Sequence, residues 1–338
     1  MSSTPSSQIL SKRMKNLIIN CSKTYNLATD KLSQLYRDAT VINAPSKPTP
    51  MDYNISNIVY ASAIFSWDLP YLREVAKDSE FWNKPLIVGG PAVTHNKSKL
   101  ETSINAVIHY EHEAEHIKGS FPMGWTSRGC IRSCPWCIVP SIEGNVMNEY
   151  QDISYTPLIL DNNFLACSES HIEKVLQLYA GKKVDWNQGL DARLYTPGFR
   201  QIVSKYNVKP TVWRFAYDSG GVGRYVQRAI EDLKLAGIPY NRIRVYLLFN
   251  YNENHAEARH RAEEIISWGA SPWPMSYKPL DWENQEAYIS PDPSWTKRKI
   301  TNFRRFFSRG QLWKSMKYED YDYRYKRTLE REEQPSFL

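Results

Sequence analysis

The stretch Ser127–Val139 reads Ser-Arg-Gly-Cys-Ile-Arg-Ser-Cys-Pro-Trp-Cys-Ile-Val and holds three of the chain's five cysteines. Cys130, Cys134 and Cys137 have the spacing Cys-x-x-x-Cys-x-x-Cys, and loops this short bring their sulfur atoms close together. Thiolates gathered in this way bind a soft metal ion or an iron–sulfur cluster. A cubane of four irons needs four ligands, so three cysteines would leave one iron open to a second molecule.

This stretch resembles the cluster loop of the radical S-adenosylmethionine (SAM) superfamily, in which an aromatic residue, here Trp136, precedes the third cysteine. The Ser-Arg-Gly lead-in is similar to the branch that also holds methylthiotransferases and cobalamin-dependent enzymes. The resemblance implies a catalytic [4Fe-4S] cluster on Cys130, Cys134 and Cys137, with SAM chelating the open iron. It also implies that an electron from an external donor, resembling flavodoxin or ferredoxin, cleaves SAM to a 5′-deoxyadenosyl radical that abstracts hydrogen from a substrate.

The cysteines allow another interpretation. A structural zinc ion could use the same three thiols with Cys167 or His171 as fourth ligand, in a non-enzymatic nucleic-acid-binding protein that holds zinc or an iron–sulfur cluster. Zinc ligands usually come as two separated Cys-x-x-Cys pairs, which favours the cluster. Five cysteines in 338 residues are too few for a disulfide scaffold.

The composition is that of an ordinary globular enzyme, with 42% hydrophobic and 23% charged residues. No run of about eighteen apolar residues predicts a membrane span. The Ser- and Pro-rich start has no apolar core of a secretory signal, so we expect a cytoplasmic protein that does not contact a membrane.

Four segments are expected from the pattern along the chain. They are a disordered tail (1–12), a small Rossmann-like α/β domain (13–120), a domain of strand–helix repeats (121–285) and a C-terminal helical extension (286–338). In the first domain, strands are predicted at Met14–Asn20, Asn57–Phe65, Pro85–Val88 and Ala106–His109, and helices at Leu27–Ala39 and Leu69–Lys77.

The first domain resembles a shortened cobalamin-binding domain, chiefly at Gly89-Gly90-Pro91 after a predicted strand. The Asp-x-His-x-x-Gly signature of that domain is absent, so cobalamin is not expected here. His112 and His116, which follow His109 in a Glu-rich run, have the i, i+4 spacing of a metal site on a helix. The same run is also typical of a solvated surface.

The second domain alternates strands and helices, which predicts a parallel sheet with right-handed crossovers. Its six strands are predicted at Met123–Ser127, Leu158–Leu160, Val184–Leu190, Thr211–Tyr217, Arg242–Phe249 and Pro272–Tyr277. The resemblance implies an open six-stranded partial (β/α)6 barrel, and the repeat pattern alone also allows a doubly wound sheet. Cysteines after the first strand favour the barrel, because ligand sites lie at the carboxyl ends of such strands.

Polar residues after the other strands are the expected SAM contacts, by the same resemblance. They are Asp161 and Asn163 after the second strand, Arg193 after the third, Asp218 and Ser219 after the fourth, and Asn250 after the fifth, with Trp136 beside the cluster. Arg193 suits the SAM carboxylate as a bidentate partner. Asp161 and Asn163 also fit an ordinary turn that caps the next helix.

The segment Lys297–Arg327 carries eleven Lys and Arg residues against three acidic residues, a net charge of +8, interleaved with eight aromatic residues. Cations neutralise phosphates and aromatic rings stack on bases, which indicates a nucleic-acid partner. Phe303, Phe306 and Phe307 have helical spacing, which equally indicates helices that cover the edge of the barrel.

The reaction stays open at this level. Methylthiolation usually needs a second cluster with three further cysteines, and only Cys21 and Cys167 remain. The substrate is therefore expected to be a nucleic acid, a nucleotide or a peptide.

Overall fold

The computed structural model describes residues 15–108, 119–284, 286 and 288–323. The expected tail at 1–12, the run with His109, His112 and His116, and the basic segment beyond residue 323 lie outside these ranges. Within them, no helix is long and apolar enough to cross a lipid bilayer.

The chain divides into two compact α/β units, which are described separately. The first is drawn from Met1–Phe121 and Asp281–Gln285, and the second from Pro122–Leu280 and Glu286–Leu338. Both units are built on parallel strands with helices in the connections, which confirms the predicted α/β class.

The first unit is a five-stranded parallel sheet in the order β2-β1-β3-β4-β5. Its elements are β1 (Lys15–Asn20), α1 (Leu27–Leu35), β2 (Thr40–Asn43), α2 (Pro50–Asn54), β3 (Ser56–Ser62), α3 (Leu69–Phe81), β4 (Leu86–Gly89), α4 (Pro91–His95), α5 (Lys97–Glu101) and β5 (Val107–Ile108). Leu17, Ile18 and Ile19 of β1 are fully buried because the sheet is covered on both faces. Continuous apolar runs are typical of such strands.

Glu283 attaches residues 281–284 to the rest of the first unit. Its carboxylate accepts hydrogen bonds from Arg73 Nη1 at 2.5 Å and Nη2 at 2.9 Å, and from Lys99 Nζ at 2.6 Å. The hydrogen bonds from Arg73, with those from Lys99, outweigh burial and lower the pKa of Glu283 to about 2.

Replacing Glu283 by Gln should therefore lower the free energy of unfolding by about 2 kcal/mol at neutral pH. A carboxylate whose native pKa is depressed stabilises above its ordinary value of 4.5 and loses that contribution as the pH falls towards 2. The gap between wild type and variant in urea unfolding should begin to close below pH 4.5. Glu286→Gln, which removes an exposed ion pair with Lys297, is the control and should change stability by less than about 0.5 kcal/mol. A gap that does not change with pH would contradict the assignment.

The second unit carries the cysteine loop. Its strands are β6 (Met123–Gly124), β7 (Ser127–Arg128), β8 (Asn148–Glu149), β9 (Leu158–Ile159), β10 (Lys183–Trp186), β11 (Lys209–Pro210), β12 (Trp213–Ala216), β13 (Ile243–Phe249) and β14 (Ser271–Ser276). Its helices are α6 (Val139–Ile142), α7 (Glu169–Leu178), α8 (Pro197–Lys205), α9 (Gly223–Leu235), α10 (His255–Trp268), α11 (Lys297–Phe307) and α12 (Gly310–Ser315).

The strands of the second unit adjoin in three sheets. One has the order β11-β10-β9-β6, a second the order β12-β13-β14, and both are parallel. A parallel bridge between Leu190 and Phe215 links the end of the β10 segment to β12. The third sheet is the antiparallel pair β7-β8.

The first strand of this unit was expected to run without a break over Met123–Ser127 and is instead two short strands. Gly124 O accepts from Leu160 N at 2.9 Å, so β6 pairs with β9, and then Thr126 O accepts from Tyr150 N at 3.0 Å as the chain turns towards β8. The side chain of Asp161 causes this change of partner, because it takes the Thr126 N–H at 2.6 Å that a continuous ladder would use.

Helix α11 packs its aromatic residues inward. Ile300, Phe303, Phe306 and Phe307 are buried, and the ring of Phe303 lies 4.6 Å from that of Phe249 on β13. These phenylalanines are therefore unavailable to stack on bases. In the described part of the basic segment, the helical spacing of the phenylalanines reflects a helix that covers the sheet. The nucleic-acid partner stays a prediction.

Candidate functional site

The cysteine loop begins at β7 and is held by Glu143. The Glu143 carboxylate accepts hydrogen bonds from Gly129 N and from Asn162 Nδ2, both at 2.7 Å, and pairs with Arg128 at 2.7 Å. The Glu143 side chain is only 10% exposed, so these three partners are needed to compensate its buried charge. Glu143 thereby joins the start of the loop to the segment after β9.

Gly129 is the residue at which the loop leaves β7. Its φ of +86° lies in the left-handed region, and a Cβ built on it would lie 2.0 Å from Val146 O. Only glycine fits here, because both the backbone conformation and the space exclude a side chain.

Gly129→Ala should lower the free energy of unfolding by about 2–3 kcal/mol, since the backbone around Cys130 must move away from Val146. Gly144→Ala is a matched control: Gly144 has a φ of +79° but nothing within 4 Å of a built Cβ. The control should cost about 1 kcal/mol, the left-handed penalty alone. Equal losses in denaturant unfolding would show that contact with Val146 is not the cause.

The three loop thiols are half-buried neighbours whose charges act on one another. Burial raises the pKa of Cys134 and Cys137, and a negative charge on Cys130 raises both further, whereas Arg193 opposes the shift at Cys134. If all three were deprotonated, a bound cation would be needed to compensate their charge. Within the described part of the chain, however, no three His, Cys, Asp or Glu side chains converge closely enough to hold a metal ion, so the structure does not bring the three sulfurs into a metal-binding arrangement.

The chemistry of the donor set fits a thiolate-bound cluster. Cys130 Sγ is approached by two N–H donors, Arg132 N at 3.4 Å and Asn163 Nδ2 at 3.5 Å. Hydrogen bonds to sulfur stabilise thiolates and tune a cluster that they ligate. The loop thus supplies three thiols and donors to one sulfur.

Asn163 is 3% exposed and has one free acceptor. Its Nδ2 faces Cys130 Sγ and also Asp191 Oδ2, each at 3.5 Å, which fixes the direction of the amide. Its Oδ1 is buried and has no hydrogen-bond partner among the described residues. A buried acceptor without a donor is costly, so this atom is suited to a donor on a ligand.

Asp161 is engaged in holding the first strand. Its carboxylate accepts from Thr126 N at 2.6 Å, from Thr126 Oγ1 at 2.5 Å and from Ser127 Oγ at 2.9 Å. Burial raises its pKa, against these hydrogen bonds. The expected SAM contact at Asp161 stays a prediction, but the structure shows a carboxylate that already positions the cysteine loop.

Arg193 and Asp191 form an ion pair beside the thiols. Asp191 accepts from Arg193 Nε at 2.7 Å and Nη2 at 3.0 Å, and from Arg132 Nε at 2.9 Å. Burial alone would raise the pKa of Asp191, but the hydrogen bonds from Arg193 and Arg132 lower it. Arg193 is one-third exposed and close enough to Cys134 and Cys130 to be influenced by their charge.

The polar residues after β12 and β13 differ in how many of their hydrogen-bonding groups are already used within the protein. Asp218 accepts from Leu248 N at 3.0 Å, burial raises its pKa, and its charge reaches Cys134 and Cys137. Ser219 is partly exposed at the start of the following turn. Asn250 is fully buried, donates to Tyr288 O at 2.8 Å and accepts from Ser290 N at 2.9 Å. Its amide therefore holds the 288–290 segment, and a SAM contact would have to break one of these bonds.

Trp136 joins the cysteine loop to the last two strands of the unit. Its ring meets that of Tyr251, which follows β13, at 5.4 Å edge to face. Tyr251 in turn meets Tyr277, which follows β14, at 4.6 Å. The loop after the first strand thus contacts the segment after β13, and Tyr251 connects that segment to the one after β14.

The fourth zinc ligand of the alternative interpretation is engaged elsewhere. His171 Nε2 lies 3.2 Å from Thr126 Oγ1, and Nδ1 lies 4.0 Å from Glu149. Burial raises the pKa of Cys167 to about 12, and Ser127 is its hydrogen-bonding neighbour. His171 therefore contacts Thr126 and Cys167 contacts Ser127, the two residues that also bind Asp161.

Three residues of the site were not predicted. Glu143 and Arg132 bond to partners distant in sequence, so no local pattern identifies them. Asp191 did carry a signal, because it ends a strand segment two residues before Arg193 and a carboxylate at that position can orient the guanidinium.

Comparison with known proteins adds no identification. No protein-family model matches the sequence, and no curated protein is significantly similar to it. A solved structure, a ketoreductase domain from the bacillaene assembly line, aligns at 9% identity over 78% of this chain and 67% of its own, with a TM-score of 0.16. A similarity this low carries no argument about fold or activity.

Proposed function

We propose that the chain is a radical SAM enzyme whose [4Fe-4S] cluster is held by Cys130, Cys134 and Cys137. The observation that carries the proposal is the surroundings of these thiols. Charged or amide side chains from the segments after three different strands, Asn163, Asp191 with Arg193, and Asp218, act on the loop sulfurs. Convergence of strand ends on one loop is typical of an enzyme site in a parallel α/β fold.

A partial barrel is the fold that suits this proposal. The strands β6, β9, β10, β12, β13 and β14 adjoin in chain order, with the Leu190–Phe215 bridge between the two sheets. A doubly wound sheet instead reverses its strand order at a switch point. The contact of Trp136 with Tyr251 brings the first-strand loop to the end of the fifth, which favours a curved sheet.

The residues around the loop have distinct parts in this proposal. The free Oδ1 of Asn163 would accept from the SAM ammonium, and Arg193 would share its guanidinium between Asp191 and the SAM carboxylate. Asp161 and Glu143 would hold the loop in place without touching SAM. When bound, the cluster would supply the electron that cleaves the carbon–sulfur bond of SAM.

Metal content and SAM binding test the proposal together. Protein reconstituted anaerobically with iron and sulfide should hold about four irons per chain, and SAM should change the electron paramagnetic resonance spectrum of the reduced protein. Asn163→Ala should keep the iron but weaken SAM binding about tenfold. Asn302→Ala is the matched control, since its amide bonds to the Tyr321–Tyr323 segment away from the cysteine loop, and should bind SAM as wild type does. One zinc per chain and no iron would refute the proposal.

A further inference from the structure

One face of the sheet β12-β13-β14 in the second unit is only partly buried, and on the edge strand β14 it is exposed. Along β13, Ile243, Val245, Leu247 and Phe249 are fully buried against the helices, whereas the residues between them point to the opposite side. Together with residues at matching positions on the neighbouring strands, they form a surface that we call the open face. It consists of Asp185, Arg214, Arg244, Tyr246, Trp273 and Met275.

The open face has a large exposed apolar component. Trp273 is 40% exposed and Met275 is 49% exposed, although both lie in the middle of β14. Parallel sheets are normally covered on both faces, so the two exposed apolar side chains on the same face of β14 indicate a surface for a ligand or partner. The sheet therefore presents an aromatic platform on the side away from its helices.

The open face also carries one uncompensated positive charge. Arg214 and Arg244 are directly opposite each other on β12 and β13, an arrangement of like charges that destabilises a sheet. Asp185 neutralises Arg214 through two hydrogen bonds, at 2.6 and 2.7 Å. Arg244 has no ion pair or hydrogen bond with the described residues, and its guanidinium lies over the ring of Trp273 at 4.5 Å.

A guanidinium beside an aromatic ring suits a particular ligand chemistry. An unpaired arginine recognises a phosphate or carboxylate, and a tryptophan stacks on a planar ring. Arg244 lies over the Trp273 ring, and the side chain is still 40% exposed and accessible to a ligand ring. Burial and the neighbouring Arg214 lower the pKa of Arg244, so an anion placed here would relieve unfavourable charge.

The position of the open face relates it to the cysteine loop. Arg244 lies four residues before Leu248, or about 13 Å along an extended strand. The strand ends at Phe249, and the ring of Tyr251, two residues further on, lies 5.4 Å from that of Trp136 in the cysteine loop. A ligand anchored at Arg244 could therefore extend along the strands towards the thiols.

We propose that the open face binds the substrate of the radical reaction and that this substrate is a nucleotide, with its phosphate at Arg244 and its base on Trp273. That the nucleotide is the substrate of a radical reaction rests on the proposed function. That the open face binds a nucleotide does not. The nucleotide is a free one, because the open face offers a single arginine without a described ion pair and so matches a single phosphate.

Calorimetric titration of the full chain tests this inference. The probes are uridine monophosphate, uridine and a short oligouridylate, because uracil does not resemble the adenine of SAM. Arg244→Gln should weaken uridine monophosphate binding about tenfold and leave uridine unchanged. Trp273→Ala should weaken both about tenfold, and Trp273→Phe, which keeps a ring, should weaken them less. Arg224→Gln is the matched control: Arg224 lies over Tyr225 at 4.7 Å on helix α9, outside the open face.

The outcomes separate this inference from the proposed function. Binding of the mononucleotide, weakened in Arg244→Gln, would support a free nucleotide. Tight binding of the oligouridylate alone would overturn it in favour of a nucleic-acid chain. Equal affinities in wild type, Arg244→Gln and Trp273→Ala would overturn the inference even if SAM cleavage is intact. Cys134→Ala, which should lose SAM cleavage, should still bind the nucleotide. Nucleotide binding can therefore be measured whether or not the proposed reaction is correct.

Discussion

Replacing Cys134 with alanine should reduce the cleavage of SAM to background and lower the iron content after anaerobic reconstitution. Cys134 is the middle thiol of the loop, and its charge acts on both Cys137 and Arg193. With only two cysteine ligands left, a second iron of the cubane would have no protein ligand, and we expect the cluster to be lost. Iron analysis and chromatography of 5′-deoxyadenosine from the reduced protein measure the two effects.

Cys167→Ala is the matched control, because Cys167 is a buried cysteine of the same unit that lies beside Ser127 rather than in the loop. It should keep wild-type iron content and SAM cleavage, with at most a modest loss of stability. If Cys134→Ala keeps about four irons and full cleavage, the loop does not hold the cluster.

Replacing Arg261 with methionine should lower the free energy of unfolding by about 3–5 kcal/mol. The guanidinium of Arg261 is buried and donates to both carboxylate oxygens of Glu253 at 2.6 Å, to Leu248 O at 2.7 Å and to Tyr217 O. Burial raises the pKa of Glu253 to about 7, and Arg261 opposes this shift. Without Arg261 the carboxylate is buried without a partner, and the segment after β13 loses its attachment.

The double variant with Glu253→Gln should recover part of this loss, because it removes the unpaired charge. Arg259→Met on the same helix breaks ion pairs with Glu263 and Glu319 that are partly exposed, and should cost less than about 1 kcal/mol. Denaturant unfolding measures all three variants. Similar losses for Arg261→Met and Arg259→Met would show that burial of the Arg261 pair is not what stabilises this segment.

The strands that could be predicted are those whose buried residues form a recognisable apolar pattern in the sequence. The run from Ile243 to Phe249 alternates buried and partly buried residues, and β1 is a continuous apolar run. The ends of helix α10 also have local causes, because Asn254 and Glu257 form a capping box and Gly269 ends the helix in the left-handed conformation.

Other elements could not be located because their cause lies elsewhere in the chain. Strand β2 has no apolar run, since only alternate residues of this edge strand are partly covered. The break between β6 and β7 depends on Asp161, which is 35 residues away from Thr126. Helix α8 is a different case, because its start, Thr196 followed by Pro197, is a local cap signal that the sequence does show, although no helix was predicted there.

The candidate site was predictable to the extent that its chemistry is local. The cysteine spacing identifies the loop, and strand ends identify Asn163, Arg193 and Asp218 as its neighbours. Sequence could not distinguish a free side chain from an engaged one. Asp161 is committed to Thr126 and Ser127, and Asn250 to the 288–290 segment, through bonds that only the folded chain defines.

The most direct test of the account is whether the reduced, reconstituted wild-type protein cleaves SAM. Under strictly anaerobic conditions with dithionite, we predict that 5′-deoxyadenosine and methionine appear together in equal amounts and in proportion to the protein's iron content. A protein that holds about four irons per chain yet leaves SAM intact under these conditions would contradict the account.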